Sequence, residues 1–428
     1  MKICIRNGHV ITMDLNREKI DYNTDILIDN GKIIEIGKNI EVDSSTKCID
    51  ADGKVVMPGL INTHAHVPMS IFRETLDGYT LQDWLNQKIW PMEDKLTGED
   101  IYYASYLSFI EMIKTGTTTI NDMYFMTDDI IKAMKETGIR LQTTRTLMNI
   151  SGDEDGKVRI RELEELLDRY TDDDRLTFNV GIHGMYTSTN PYIDECINFA
   201  KEKGLRVNIH FCENSSEVED IRRIHGKEPV DVLQEKFEGV DTVLAHAVKL
   251  ENEDLDKIKD MSINVAHCPI SNLRLGCGVA KIKRMQELGI NVALGTDGQG
   301  SGSRLDLFET MKFTALLQKG INENPKDLPA YEVLKMATIN GAKALGLEDK
   351  VGSIEKGKCA DIIIINLEDV KLKPINDLIS EVVYNVTGDN VVTTIVDGSI
   401  LMENRCLTVS NEEEIYTKCE EIIERIKI

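Results

Sequence analysis

The sequence has no apolar run approaching the ~20 residues that a membrane-spanning helix needs. Basic residues are in deficit: 73 Asp and Glu against 50 Lys and Arg leave a formal charge of −23. A surface of that sign repels phosphate backbones and argues against nucleic-acid binding through a basic face. The nine cysteines are an odd number and form no CxxC pair. This points to reduced thiols packed as small hydrophobes and, by default, to a cytoplasmic location. The opening Met1-Lys2-Ile3-Cys4-Ile5-Arg6 has too short an apolar stretch for a signal peptide and reads as a strand. Low-complexity tracts and short-period repeats are also missing.

What remains is ordinary for a globular protein: 41% hydrophobic and 29% charged residues over 428 positions, enough for one large domain and a smaller one. Both ends are strand-rich. Ile3-Cys4-Ile5 and Val10-Ile11-Thr12-Met13 flank Asn7-Gly8, which reads as a turn. Asp25–Ile28, the turn Asp29-Asn30-Gly31 and Ile33–Ile36 read as a hairpin. Ala360–Ile365, Val391–Val396 and Gly398–Leu401 repeat the style near the C-terminus, so both ends are expected to build one β domain together. Between them, eight short β-rich runs alternate with amphipathic stretches. The runs are Gly59–Thr63, Thr117–Asp122, Arg140–Thr146, Leu176–His183, Arg206–His210, Thr242–His246, Ile263–His267 and Val292–Asp297. Helices are expected over Ile101–Lys114, Val158–Tyr170, Tyr192–Lys203 and Val279–Leu288, and solvated loops at Asp153-Glu154-Asp155 and Asp172-Asp173-Asp174. Eight strand–helix repeats predict a closed α/β barrel of the TIM type rather than an open doubly wound sheet, for which a GxGxxG after the first strand is lacking.

Six of the eight histidines, His64, His66, His183, His210, His246 and His267, end a predicted strand or follow one directly. Strand C-termini face the mouth of a barrel, so these side chains should converge there. His9 and His225 fall elsewhere and read as structural or surface residues. His64 and His66, two apart in extended chain, point to one side and can grip one ion. His210 and Asp297, at the ends of the fifth and eighth strands, complete three imidazoles and a carboxylate, a set suited to Zn2+ or Fe2+ with a position left for water.

Pro58–His66, Gly295-Thr296-Asp297-Gly298 and Gly352–Asp361 resemble the signatures of the amidohydrolase superfamily, and the resemblance covers essentially the whole chain. It implies a (β/α)8 barrel over 58–357 carrying a small β-sandwich from 1–57 and 358–428. The fourth strand ends Val180-Gly181-Ile182-His183-Gly184 without the lysine that bridges two ions in binuclear members, which favours one metal per chain. His210-Phe211-Cys212-Glu213 resembles the deaminase branch. Thr80–Leu85, Ile89–Glu93, Ala245–Val248 and Pro269–Leu275 resemble the 5′-methylthioadenosine/S-adenosylhomocysteine deaminases. That likeness implies His64, His66, His210 and Asp297 as metal ligands, and a small-molecule nucleoside as partner. Asp297 would accept a proton from water, His246 would stabilise the attacking oxygen, and Glu213 would protonate the ring nitrogen beside the attacked carbon. Glu93 would bind ribose hydroxyls, Arg145 would reach the 5′ tail, and His183 would help hold the nucleoside; a homo-oligomer is compatible with all of this. Trp84 and Trp90, the only tryptophans, read as core or rim residues, one of which could cover the adenosine. Two segments depart from the family pattern, Arg73–Tyr79 and Gln299–Arg304. They keep open a guanine or pterin deaminase or a triazine chlorohydrolase on the same site, while the retained ligand set argues against a non-enzymatic scaffold.

Overall fold

In the computed structural model, residues 2–408 and 411–427 are described; Met1, at which the expected first strand opens, lies outside them. Eight strands follow one another in parallel: Leu60–Ala65, Thr117–Asp122, Arg140–Thr143, Leu176–Phe178 continued by Val180–Gly184, Val207–Phe211, Thr242–His246, Ile263–His267 and Asn291–Leu294. They are buried almost throughout, which is why they read as apolar runs rather than as alternating patterns. The fourth strand breaks at Asn179, whose N–H donates to Thr143 O at 3.0 Å and whose side-chain amide donates to Asn121 Oδ1 at 2.7 Å. The barrel closes where the eighth strand meets the first. Thr63 Oγ1 donates to Leu294 O at 2.8 Å, and the Asp297 N–H donates to His64 O at 3.0 Å. That seam needs glycine: a Cβ on Gly295 would sit 2.9 Å from both Cys268 Sγ and His64 Cβ.

The expected helices are present as Gly98–Lys114, Asp153–Arg169, Asn190–Lys203 and the shorter Ile282–Glu287. Asp153-Glu154-Asp155, expected as a loop, is instead the first turn of its helix. Three carboxylates in the first turn lie at the positive end of the helix dipole, a favourable placement that a bare charge-run reading overlooks. Asp172–Asp174 does lie in a loop.

Among the described residues, nine strands from the two ends form a second sheet, joined where Ile362–Ile365 pairs antiparallel with Val55–Pro58. At its far edge the Ile33 N–H donates to Lys358 O and the Ala360 N–H to Gly31 O, so the sheet curls back on itself around Ile3, Ile5, Ile26, Ile28, Ile362 and Ile395. Asn30 and Gly31, at φ 48° and 77°, make the expected hairpin turn. Asn7-Gly8 is not a turn. Both residues lie inside the single strand Ile3–Val10 as a bulge, with Asn7 at φ 60° and its N–H taken by Asp25 Oδ1 at 2.9 Å in place of a ladder bond. The C-terminal region also contributes a helix, Glu412–Ile426, which lies on the outer helix Gly98–Lys114 through Arg425–Asp100 and Lys114–Glu412 ion pairs. Among the described residues no helix is long and apolar enough to cross a membrane.

Candidate active site

His64, His66, His210 and Asp297 meet at the mouth, each carried there by the end of its strand. The ring nitrogens at the back are fixed first: His66 Nδ1–H donates to Met123 O at 2.7 Å and His210 Nδ1–H to His183 O at 2.6 Å. Both Nε2 atoms are thereby left as bare lone pairs, and they face each other at 3.2 Å. Asp297 Oδ1 lies 3.3 Å from His66 Nε2 and 3.7 Å from His64 Nε2. His64 is fully buried and neither ring nitrogen has a hydrogen-bond partner. Facing lone pairs and an orphaned buried imidazole are unfavourable unless a cation lies among them, and separations of 3.2–3.7 Å suit ligands each about 2 Å from a common ion. The residues present therefore fit a divalent metal. Burial pushes His64 and His210 far below the usual histidine range, which keeps them neutral as ligands must be. Burial alone would raise Asp297, but His66, His246, His64 and the Ser271 hydroxyl together hold it below the ordinary carboxylate range.

Three partners of Asp297 were not legible in the sequence. Ser271 and Ser301 hydroxyls donate to Oδ2 at 2.5 and 2.8 Å, and the Gly298 N–H donates to Oδ1 at 2.8 Å. Ser301 belongs to the unusual segment Gln299–Arg304, which begins as a short helix, Gln299–Gly302. The second departing segment meets it: Ser303 Oγ donates to Glu74 Oε1 at 2.7 Å, and Arg274 pairs with the same carboxylate at 2.9 Å.

His246 stands beside this cluster, with Asn272 Nδ2 2.9 Å from its Nδ1 and Glu213 Oε1 at 3.7 Å. Burial lowers His246 to about 4 and His183 to about 4. Glu213 is buried, its Oε1 has no partner, and burial reinforced by the charges of Asp297 and Glu217 raises it well above the usual range. Its neighbour Glu217 is raised to about 7 by burial, against hydrogen bonds from the backbone of Glu213, Cys212 and Asn214. Cys212, His246, Ala247 and Asp297 all take positive φ, 52°, 73°, 50° and 61°. Such strained backbone at or just after strand ends is the kind that clusters at functional sites. His267 is buried without a hydrogen-bond partner and lies outside the cavity lining. His225 is structural, bonded to Asn190 and Met185.

One cavity opens onto the cluster. His66, His210, Glu213, His246 and Asp297 line its floor, His183 and Glu93 line it too, and no lysine is among its described lining residues. Glu93 sits at the end of a helical run, Leu81–Glu93, interrupted by a π turn at Leu85–Ile89 just ahead of Pro91. Pro91 has no N–H to give the regular ladder. The Tyr124 hydroxyl donates to Glu93 Oε1 at 2.5 Å. Trp84 is buried in the wall with its Nε1–H on Thr75 Oγ1, and Trp90 is a half-exposed rim residue. Arg145 does not line the cavity. It pairs with Glu162 at 2.6 Å, while Arg159, on the helix that follows, supplies the lining guanidinium. Both arginines reach Thr146 O, at 3.3 and 3.4 Å.

The amidohydrolase family model matches residues 55–401. The chain belongs to the amidohydrolase family. It is 39% identical, over 98% of its length and 97% of the relative's, to the 5-methylthioadenosine/S-adenosylhomocysteine deaminase of Caldanaerobacter subterraneus subsp. tengcongensis. It is 40% identical to the 5′-deoxyadenosine deaminase of Methanosarcina acetivorans, with 99% of each chain covered. Among solved structures it resembles an adenosine deaminase from Xanthomonas campestris with bound zinc, at TM-score 0.94 and 26% identity over 99% of this chain and 98% of that one. Atrazine chlorohydrolase from Arthrobacter aurescens complexed with zinc gives TM-score 0.91 at 26% identity, over 98% and 100%. The amidohydrolase fold thus carries both reaction types on similar barrels, so the choice between them rests on residues around the cavity rather than on the fold.

Proposed function

We propose that this amidohydrolase is a metal-dependent deaminase that converts a 6-aminopurine nucleoside with a modified 5′ position, or adenosine itself, to the inosine analogue and ammonia. The observation that carries the reading is that one cavity opens onto the four-ligand cluster and holds Glu213 and Glu93 together. Glu93 offers a carboxylate to two ribose hydroxyls, a contact that a free base or a triazine cannot return. His64, His66, His210 and Asp297 would hold a single ion per chain, Zn2+ by the donor set, with Fe2+ the nearest alternative. When bound, the ion supplies Lewis acidity, which makes water a nucleophile at neutral pH.

The chain's own groups then manage protons. Asp297 accepts the proton of the attacking water, with Ser271 and Ser301 holding its Oδ2 in place. His246, with Nδ1 against Asn272, turns its other nitrogen toward the attacking oxygen. Glu213, kept protonated by burial, donates to the ring nitrogen beside the amino-bearing carbon and makes that carbon electrophilic. Ammonia leaves and a lactam ring remains. His183 and the walls of Trp84 and Leu85 hold the nucleoside, and Arg159, in place of Arg145, presents its guanidinium to a charged 5′ tail.

A substrate panel followed by ammonia release tests the reading. Adenosine, 5′-methylthioadenosine, 5′-deoxyadenosine and S-adenosylhomocysteine should be turned over, and adenine, guanine and an aminotriazine poorly. Glu213→Gln should keep its metal and lose about 10²–10⁴-fold in turnover. Preference for guanine or a triazine would sink the nucleoside assignment while leaving the metal chemistry intact.

A further inference from the structure

Glu213 has to aim one carboxyl group at a ring nitrogen, yet its own side chain is not anchored: Oε1 has no hydrogen-bond partner, and the nearest imidazole nitrogen is 3.7 Å away. Its direction is therefore set by the backbone from which it hangs. That backbone is irregular. Cys212 takes φ 52°, so the chain leaves the fifth strand through a left-handed corner. The carbonyl side of the corner is held by neighbouring backbone, with the Lys249 N–H donating to Cys212 O at 2.8 Å and the Ala247 N–H to Phe211 O at 3.0 Å. The N–H side is held by one side chain only. Glu217 accepts from the Cys212 N–H with Oε1 at 2.8 Å and from the Glu213 N–H with Oε2 at 2.7 Å.

Glu217 is the third residue of the helix Ser215–His225, and Asn214 is its N-cap, accepting from the Glu217 N–H at 2.9 Å. In an ordinary capping box a glutamate at this position folds back onto the N-cap N–H. Here the carboxylate reaches past the N-cap to the two residues before it, and it is only 3% exposed. A buried carboxylate is costly, and a helix start has cheaper caps available. Its two oxygens are committed to the two amides that orient the proton-transfer residue.

We infer that Glu217 is a positioning residue for the deamination, a fork that fixes the Cys212–Glu213 corner and thereby the aim of the Glu213 carboxyl group. The inference rests on the proposed role of Glu213 as proton donor to the ring. A misplacement of about 1 Å at a reacting group costs on the order of 10²-fold in rate. Glu217→Gln keeps the shape but turns one acceptor into a donor facing an N–H. It should lower kcat about 10–100-fold, keep one metal per chain, and leave the KM for 5′-deoxyadenosine within about twofold. The double variant Glu213→Gln/Glu217→Gln should be no slower than Glu213→Gln alone, because an aiming device is worthless once the aimed group is gone. Full kcat in Glu217→Gln, loss of metal, or a further drop in the double variant equal to that of the single would overturn the inference, since each describes a merely structural or separate role. If Glu217→Gln does not fold, Glu217→Asp, which can span to only one amide, is read by the same criteria. Activity surviving in Glu213→Gln would instead remove the reading on which the inference stands, and that arm is measured independently.

Discussion

Burial sets the chemistry of the single residues at this mouth, and Glu93 shows it most directly. Burial raises its carboxyl to about 7, opposed by the Tyr124 hydrogen bond and the nearby His66. A carboxyl pushed above its ordinary value binds its proton more tightly in the folded chain. Whatever stability it contributes is present below that ordinary value and lost as pH rises through about 7. For binding the sign is opposite: the charged form accepts two ribose hydroxyls, and the protonated form gives up one acceptor. The KM for a nucleoside should therefore rise as pH falls through about 7, more than kcat changes. Tyr124→Phe removes a hydrogen bond that favours the charged form, so it should move the midpoint upward. Initial rates over a pH series check both statements, and a KM that ignores pH would separate Glu93 from the ribose.

At the scale of elements, the mouth is held by short connections rather than by the barrel strands themselves. The segment Gln299–Arg304 braces the cluster through its own hydrogen bonds. Ser301 holds Asp297 Oδ2, and Gln299 ties the segment to Ser108 at 3.1 Å. Hydrogen-bonding partners behind a metal ligand are typically worth about 10–100-fold in metal affinity. Ser301→Ala should lower metal affinity by that order, read by competition with a chelator, while the protein stays folded. Unchanged affinity would reduce the segment to a surface connection. Ser271 also holds Oδ2, so the double variant Ser271→Ala/Ser301→Ala should lose more than either alone.

Across the whole molecule, the β domain and the barrel are bolted together by a buried pair. Arg140, at the start of the third barrel strand, meets both oxygens of Asp361 at 2.9 and 3.0 Å, and each side chain is 2% exposed. Asp361 also accepts the Asp397 N–H at 2.8 Å. Strand starts lie at the face opposite the mouth, where residues serve stability rather than chemistry. Arg140→Met fills similar volume but leaves a buried carboxylate uncompensated, which costs about 3–5 kcal/mol. Urea unfolding should show a lowered midpoint, with kcat of the folded fraction unchanged. A midpoint within error of the parent would mean that the sheet and barrel are held by their apolar contacts alone.

The strand ends were readable because six of the eight histidines punctuate β-rich runs, and a strand has only one end that faces the mouth. His64-Ala65-His66 and the Gly295-Thr296-Asp297 run carried the closing seam in their own spacing, since only a residue without Cβ passes His64 there. Local chemistry that depends on sequence neighbours was legible for the same reason, the Asn30-Gly31 turn included. Other features arise only from contacts between distant segments. Asn7-Gly8 has turn composition, yet Asp25 from another strand makes it a bulge. Ser271, Ser301 and Asp297 come from separate segments and meet only when the barrel closes. Arg145 and Arg159 are both arginines near the same carbonyl, and the side-chain company of Glu162 keeps the first off the cavity wall while the second lines it. Strand order and the candidate ligand set follow from the chain read along its length, because periodicity and residue type are local properties. Which polar groups share a cavity, and which carboxylate is aimed by which backbone amide, is fixed by the closed barrel, because those contacts join residues that no local pattern connects.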